Sequence, residues 1–268
     1  DECNQCHNEC GNNNDGCHQN CDMTACYGDG TAGSSCNMEV IGSMKFHYTS
    51  PSDKLSDITG FYQAGKEYAV VGIMGPNKAA AIIDITNPSE PTYLSDISAN
   101  GNQDDSGNTW RDLKYYDEHL YLGTEAQDGV RVFDVKDPNN PELVHTITDF
   151  EGSHNIFIDA DGYLYVIGAW SEQPNSENHD IWIYELANHP DNPTLVGTWD
   201  GEYFHDIEVY NNKLYGAAIY TGEFYIIDVT DKSNPTTIKI HYTGAVGEIS
   251  THDCAVTYDE KYLLTADE

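Results

Sequence analysis

The chain has 268 residues, enough to bury a large core as one domain or as an array of small repeats. Its 12 Lys and Arg against 45 Asp and Glu leave a formal net charge of -33, which excludes nucleic acid as a partner and disfavours anionic membrane surfaces. The 19 Tyr, 7 Phe and 4 Trp exclude a disordered chain, and no run of about 18 apolar residues is present to span a bilayer, so no transmembrane segment is expected.

Residues 1–36 hold seven of the eight cysteines, namely Cys3, Cys6, Cys10, Cys17, Cys21, Cys26 and Cys36, among Asn, Gly and Asp. A stretch this polar builds no core, so the density predicts a disulfide-stapled segment in an oxidising compartment and a secreted or cell-surface protein. The chain opens on no basic and then apolar leader, so a signal peptide has been removed or was not included. Cys3-Asn4-Gln5-Cys6-His7 also spells CxxCH, the attachment pattern of c-type haem, with Cys3 and Cys6 bonded to the porphyrin and His7 on the iron. The neighbouring CHNEC (6–10) and CHQNC (17–21) repeat a spacing that haem does not require, and nothing apolar nearby would bury a porphyrin. The disulfide reading therefore leads, ahead of a zinc knuckle and of electron transfer through haem.

From residue 37 to 268 the composition turns to short runs of Ile, Val, Tyr and Phe bounded by Asn, Pro, Asp and Gly, the pattern of strands and turns. NMEVIGSMKFHY (37–48) reads as an outer strand suited to closing a ring. Beyond it two motifs alternate. The first is a strand, a tight polar turn and a strand: SDITGFYQAGKEYAVVG (56–72), RDLKYYDEHLYLG (111–123), HNIFIDADGYLYVIG (154–168), HDIEVYNNKLYGA (205–217) and HDCAVTYDEKYLLTA (252–266). The second is a strand ending in an acidic residue, an Asn-Pro turn and a further strand: AAIIDITNPSEPTYLSDI (80–97), VRVFDVKDPNNPELVHTI (130–147), IWIYELANHPDNPTLVGTW (181–199) and FYIIDVTDKSNPTTIKIH (224–241). Four strands in each unit of about 45 residues predict an all-β chain, a β-propeller of four-stranded blades with five units visible and the last incomplete. The sequence stops at Glu268 two strands into the fifth unit, so either the ring is five-bladed with an incomplete last blade or, as the leading expectation, this is a fragment of a longer propeller.

The Asn-Pro strand pairs resemble LVIVD repeats, and the order of Cys26 and Cys36 flanking YGDGTAGSS, then KEYAVVGI, Trp110-Arg111-Asp112, Ser153-His154-Asn155 and Thr251-His252-Asp253 resembles the choice-of-anchor B family of bacterial surface proteins. The resemblance covers residues 26 to 268 and implies a propeller held at the cell surface by one of several C-terminal anchors. It also implies a Cys26–Cys36 disulfide and a propeller continuing past the position of Glu268. No reaction comes with it, so the expected role is a binding or structural module of an extracellular assembly. The partners would be other surface proteins or copies of the chain itself.

Aligned units place Ser56, Arg111, His154, His205 and His252 at one position, with Asp57, Asp112, Asn155, Asp206 and Asp253 following. The first strand of a propeller blade lines the central channel, so these residues form rings near one mouth, of which one faces the axis. The leading expectation is that these side chains bond to the backbone of the adjacent blade and hold the inner strands in register. A divalent metal site, for a transition ion on imidazole or for calcium, comes second, and a metal-dependent enzyme built on Arg111, His154, His205 and His252 third. Cys254 reads as a disulfide partner or buried thiol, and Asp159-Ala160-Asp161-Gly162 as a hairpin turn rather than a calcium loop.

Overall fold

The structure, a computed structural model, describes residues 40–45, 54–75, 77–99, 110–172, 179–243 and 250–267. The chain falls into two units. The first comprises residues 1–45 and 87–91, and its described part holds no strand or helix. The outer strand expected over 37–48 is thus missing from residues 40–45, where Val40 and Ile41 are exposed and bury nothing that would hold an edge. The seven N-terminal cysteines and His7 lie outside the described residues, as does the expected boundary at residue 36.

The second unit, residues 46–86 and 92–268, is all-β in its described part. Strands β1 (Lys54–Gln63), β2 (Lys66–Met74), β3 (Lys78–Asp84) and β4 (Thr92–Ser98) form the first antiparallel meander. β5 (Arg111–Tyr116), β6 (His119–Thr124), β7 (Val130–Asp134) and β8 (Glu142–Ile147) form the second. β9 (Asn155–Ile158), β10 (Tyr163–Ile167), β11 (Ile181–Glu185) and β12 (Thr194–Trp199) form the third. β13 (Asp206–Tyr210), β14 (Lys213–Ala218), β15 (Glu223–Asp228) and β16 (Thr236–Tyr242) form the fourth, and β17 (Thr251–Val256) with β18 (Leu263–Asp267) a two-stranded fifth. Among the described residues no sheet closes on itself and no helix is long and apolar enough to cross a membrane.

Local chemistry sets these boundaries. The β5–β6 turn puts Asp117 and Glu118 at φ of 44° and 62°, and the β13–β14 turn puts Asn211 and Asn212 at 49° and 57°, the left-handed pair that a two-residue hairpin needs. The acidic residue ending each third strand caps the turn after it. Asp84, Asp134 and Asp228 accept the N–H two residues on at 3.0, 2.8 and 2.8 Å, and Glu185 accepts that of Asn188 at 2.9 Å. In the β9–β10 turn Asp159 Oδ1 accepts the N–H groups of Asp161 and Tyr163, with Gly162 at a φ of +79°.

The core lies between successive sheets. Leu120 and Leu122 face the first sheet, joining Val70, Ile82 and Ile97, while Tyr121 faces the third, joining Ile156, Leu164 and Trp182. One strand therefore feeds two cores, as its alternating side chains require when both faces are covered. The third and fourth sheets enclose Tyr165, Ile183, Trp199, Phe204, Ile207, Leu214 and Ile227. The first strands of successive sheets adjoin one another, β1 with β5, β5 with β9, β9 with β13 and β13 with β17, which is a propeller-like order. Ile97, Ile147 and Trp199 on the outer strands are buried, whereas His241, at the matching place on β16, is exposed beside an open groove of about 330 Å³. Among the described residues the fifth sheet supplies no outer strands to cover it.

Candidate functional site

The polar side chains of interest stand at the start of the first strand of each sheet, where one sheet meets the next. The carboxylates there reach across the seams: Asp57 Oδ2 accepts the Leu113 N–H at 2.8 Å, Asp112 Oδ2 accepts that of Ile156 at 2.6 Å, and Glu208 Oε2 accepts that of Val256 at 2.5 Å. Each accepts a backbone N–H from the first strand of the neighbouring sheet, and the Leu113 N–H is shared with Asp112 Oδ1 at 2.9 Å. Asn155, in the third sheet, makes no such bond, and the Ile207 N–H donates instead to Asp206 Oδ1 at 2.8 Å. The preceding position contributes a second kind of seam contact. Ser56 Oγ donates to the Arg111 carbonyl at 3.4 Å, and His205 Nδ1 meets the His252 carbonyl at 3.2 Å.

The three histidines converge. His154 and His205 face each other with their Nε2 atoms 2.8 Å apart, and the His205 and His252 rings lie 3.7 Å apart between centroids. His154 Nδ1 meets Glu125 Oε1 at 2.7 Å, and Tyr203 packs 6.4 Å from the His154 ring. Gly168, at a φ of +57°, makes room, because a Cβ there would stand 2.6 Å from the His154 Cβ. Arg111 does not join them: it is buried and donates to Thr124 Oγ1 on the adjacent strand. Burial and the nearby Arg131 lower its pKa to about 10, with Asp128 opposing. Asp253 Oδ1 accepts the Cys254 N–H at 2.6 Å, and Cys254 is a free, buried thiol against the Tyr215 carbonyl, its pKa raised by burial and by the surrounding carboxylates.

A separation of 2.8 Å between two imidazole nitrogens is a hydrogen bond. Among the described residues no group of three or more His, Cys, Asp or Glu side chains is placed to hold a metal ion. Glu125 and Tyr203 were not expected at the channel mouth, because they come from the connections, which do not repeat from unit to unit. Glu208 carried a signal that went unused, an acidic residue on the same strand face as Asp206.

Carboxylates crowd this end of the axis. Burial pushes the Asp57 carboxyl up to about 6, helped by its hydrogen bond to Asp112 and by the charge there, while Lys114 and the Leu113 N–H oppose. Burial and then the charge of Asp253 push Asp206 up to about 6 as well, opposed by the Ile207 N–H, Lys114 and His154. Between about pH 4 and pH 6 the folded chain keeps the Asp206 proton that the unfolded chain releases, so stability falls as pH rises through that window. Asp206→Asn keeps an acceptor for the Ile207 N–H and is expected to stabilise by on the order of 1 kcal/mol at pH 7.5 and by little at pH 4, read from urea unfolding at both pH values.

LVIVD repeats match residues 68–99 and 203–243, that is, most of the last three strands of the first sheet and all of the fourth. No curated protein matches the chain. Among solved structures, a Bacteroides fragilis protein provisionally assigned as a 6-phosphogluconolactonase superposes with a TM-score of 0.54 at 17% identity, over 71% of this chain and 55% of its own. A Lactobacillus plantarum protein gives 0.56 at 12% identity, over 75% and 61%. The periplasmic gluconolactonase of Pseudomonas aeruginosa gives 0.55 at 12% identity, over 83% and 67%. The chain thus spans between half and two thirds of the first two, and these likenesses are of fold.

Proposed function

We infer that the chain belongs to a secreted or cell-surface β-propeller of LVIVD-type blades, of the choice-of-anchor B kind, and serves as a non-enzymatic binding or structural module of an extracellular assembly. The observation that carries this reading is the use of the axial polar groups: Asp57, Asp112 and Glu208 are spent on backbone N–H groups of the neighbouring sheet. Side chains so engaged hold strands together instead of meeting a substrate. The strongly acidic composition suits a surface protein, with other surface proteins or copies of the chain as partners.

Two assays on one preparation test the reading. Protease added to intact cells that make the protein should release its peptides, and retention until lysis would overturn the surface location. Purified protein should leave glucono-δ-lactone hydrolysing at the blank rate. Acceleration that disappears in His205→Gln would replace the module by an enzyme of the kind its fold neighbours are described as.

A further inference from the structure

The turn between β15 and β16 departs from the repeat. Four residues after the acidic strand end, the first and second units carry Pro88 and Pro138, whereas the fourth carries Lys232. The lysine is buried, and its side chain reaches the β13–β14 hairpin, where Nζ donates to Asn212 Oδ1 at 3.1 Å. The Asn212 carbonyl accepts the Val229 N–H, as those of Glu118 and Gly162 accept the Val135 and Leu186 N–H groups, so these two residues hold its place in the second and third units. Of these units only the fourth sets an amine against a side-chain amide.

A carboxylate from the neighbouring sheet completes the group. Asp159 Oδ2, in the β9–β10 turn, lies 3.4 Å from Nζ and is itself buried. The Tyr165 hydroxyl donates to the same oxygen at 2.9 Å, and Oδ1 accepts the Asp161 and Tyr163 N–H groups, so the carboxylate cannot swing away without giving up three bonds. The Tyr163 and Tyr165 rings stand 5.0 and 5.9 Å from Nζ and wall the site on that side. Asn212 is exposed, which leaves a way out for a small product.

We propose that Lys232 and Asn212 join in an intramolecular isopeptide bond, with Asp159 as the acid–base group. Nζ gives a proton to Asp159 Oδ2 and attacks the Asn212 amide carbon, which lies one C=O bond, about 1.2 Å, from the oxygen already in contact. Asp159 passes protons on to the amide nitrogen, the old C–N bond breaks, and that nitrogen leaves as ammonium. Two protons move in all from Nζ to the leaving nitrogen, so an ammonium side chain and a primary amide become one secondary amide and one free ammonium ion. Nothing is oxidised or reduced. The bond ties the β13–β14 hairpin to the β15–β16 turn and closes one end of the fourth sheet covalently, whatever the module binds.

Intact mass, measured after reduction on the full chain purified in its folded state, reads the bond directly. The native chain is expected about 17 Da, one ammonia, below the mass of its sequence, and digestion should yield the peptides holding Asn212 and Lys232 as one branched species. Lys232→Arg keeps a cation at the site, and Asn212→Gly suits the left-handed backbone there, at a φ of 57°, so both should fold, lose the branched species and return to the sequence mass. Asp159→Ala should slow bond formation by about 100-fold or more, followed as the branched fraction over days at neutral pH. The native map decides even where a variant fails to fold. A native chain at its sequence mass, with the two peptides recovered separately, would overturn the proposal. So would a loss of ammonia that persists in Lys232→Arg, which would belong to a cyclised asparagine, and formation at the native rate in Asp159→Ala would remove the role given to Asp159.

Discussion

Phe204→Ala is expected to lower the unfolding free energy by about 3–5 kcal/mol, the ordinary cost of emptying a fully buried aromatic site. Phe204 has no exposed surface, stacks on Trp199 at 5.5 Å between ring centroids and meets the Tyr225 ring edge-on at 5.2 Å. Its site is cut to shape by Gly216, where a Cβ would lie 2.9 Å from the Phe204 ring, so the fourth sheet supplies a slot and the residue before His205 fills it. The strand cannot collapse into the vacated space without pulling its seam contacts out of register, which argues for the upper part of the range. Phe204→Leu retains part of the contact and should cost about 1–2 kcal/mol. Urea unfolding with an unchanged slope measures both, and a loss below about 1 kcal/mol for the alanine variant would mean that the junction between third and fourth sheets is not packed as described.

Asp112→Ala should cost about 2–4 kcal/mol, through a different mechanism. Asp112 is buried and serves three donors, the N–H groups of Ile156 and Leu113 at 2.6 and 2.9 Å and the Lys114 ammonium at 2.6 Å. Alanine leaves the Ile156 donor without its acceptor and the lysine with the more distant Asp57 carboxylate at 3.9 Å, although Leu113 keeps its bond to Asp57. Asp112→Asn keeps an acceptor and loses the charge, so about 1–2 kcal/mol is expected. The same variant removes the neighbour that helps hold the Asp57 carboxyl near 6. Stability should then fall less between pH 4 and pH 6 than in the parent chain, a pH readout that generic loss of packing would not produce.

The repeat makes the sheets legible in the sequence. Turn pairs such as Asn211-Asn212, the acidic strand ends at Asp84, Asp134, Glu185 and Asp228, and apolar runs such as LYLG recur in register, and each has a local physical cause. The place of His154, His205 and His252 followed from the same alignment. What each side chain does there was less legible, because it depends on exceptions to the repeat. Arg111 occupies the histidine position yet turns to Thr124, since a guanidinium is long enough to reach the adjacent strand. Asn155 replaces the acidic residue of its neighbours and loses the bond to the next strand, and Glu208 makes that kind of bond two residues beyond the aligned position. Glu125 lies in a connection whose length and composition differ between units, so no period points to it. The missing strand at residues 40–45 has a related origin: extended propensity alone, with Val40 and Ile41 exposed, does not make an edge.

The account holds that axial carboxylates bind sheet to sheet, and amide hydrogen exchange tests this most directly. The Leu113, Ile156 and Val256 amides, which donate to side chains of the neighbouring sheet, should exchange as slowly as ladder amides of the same strands in the intact chain. Asp112→Ala should release Ile156 and leave Val256 protected, and Glu208→Ala should do the reverse. Exchange of all three amides at the rate of open loops, unchanged by either substitution, would contradict a structural axis and leave those carboxylates free to meet a ligand.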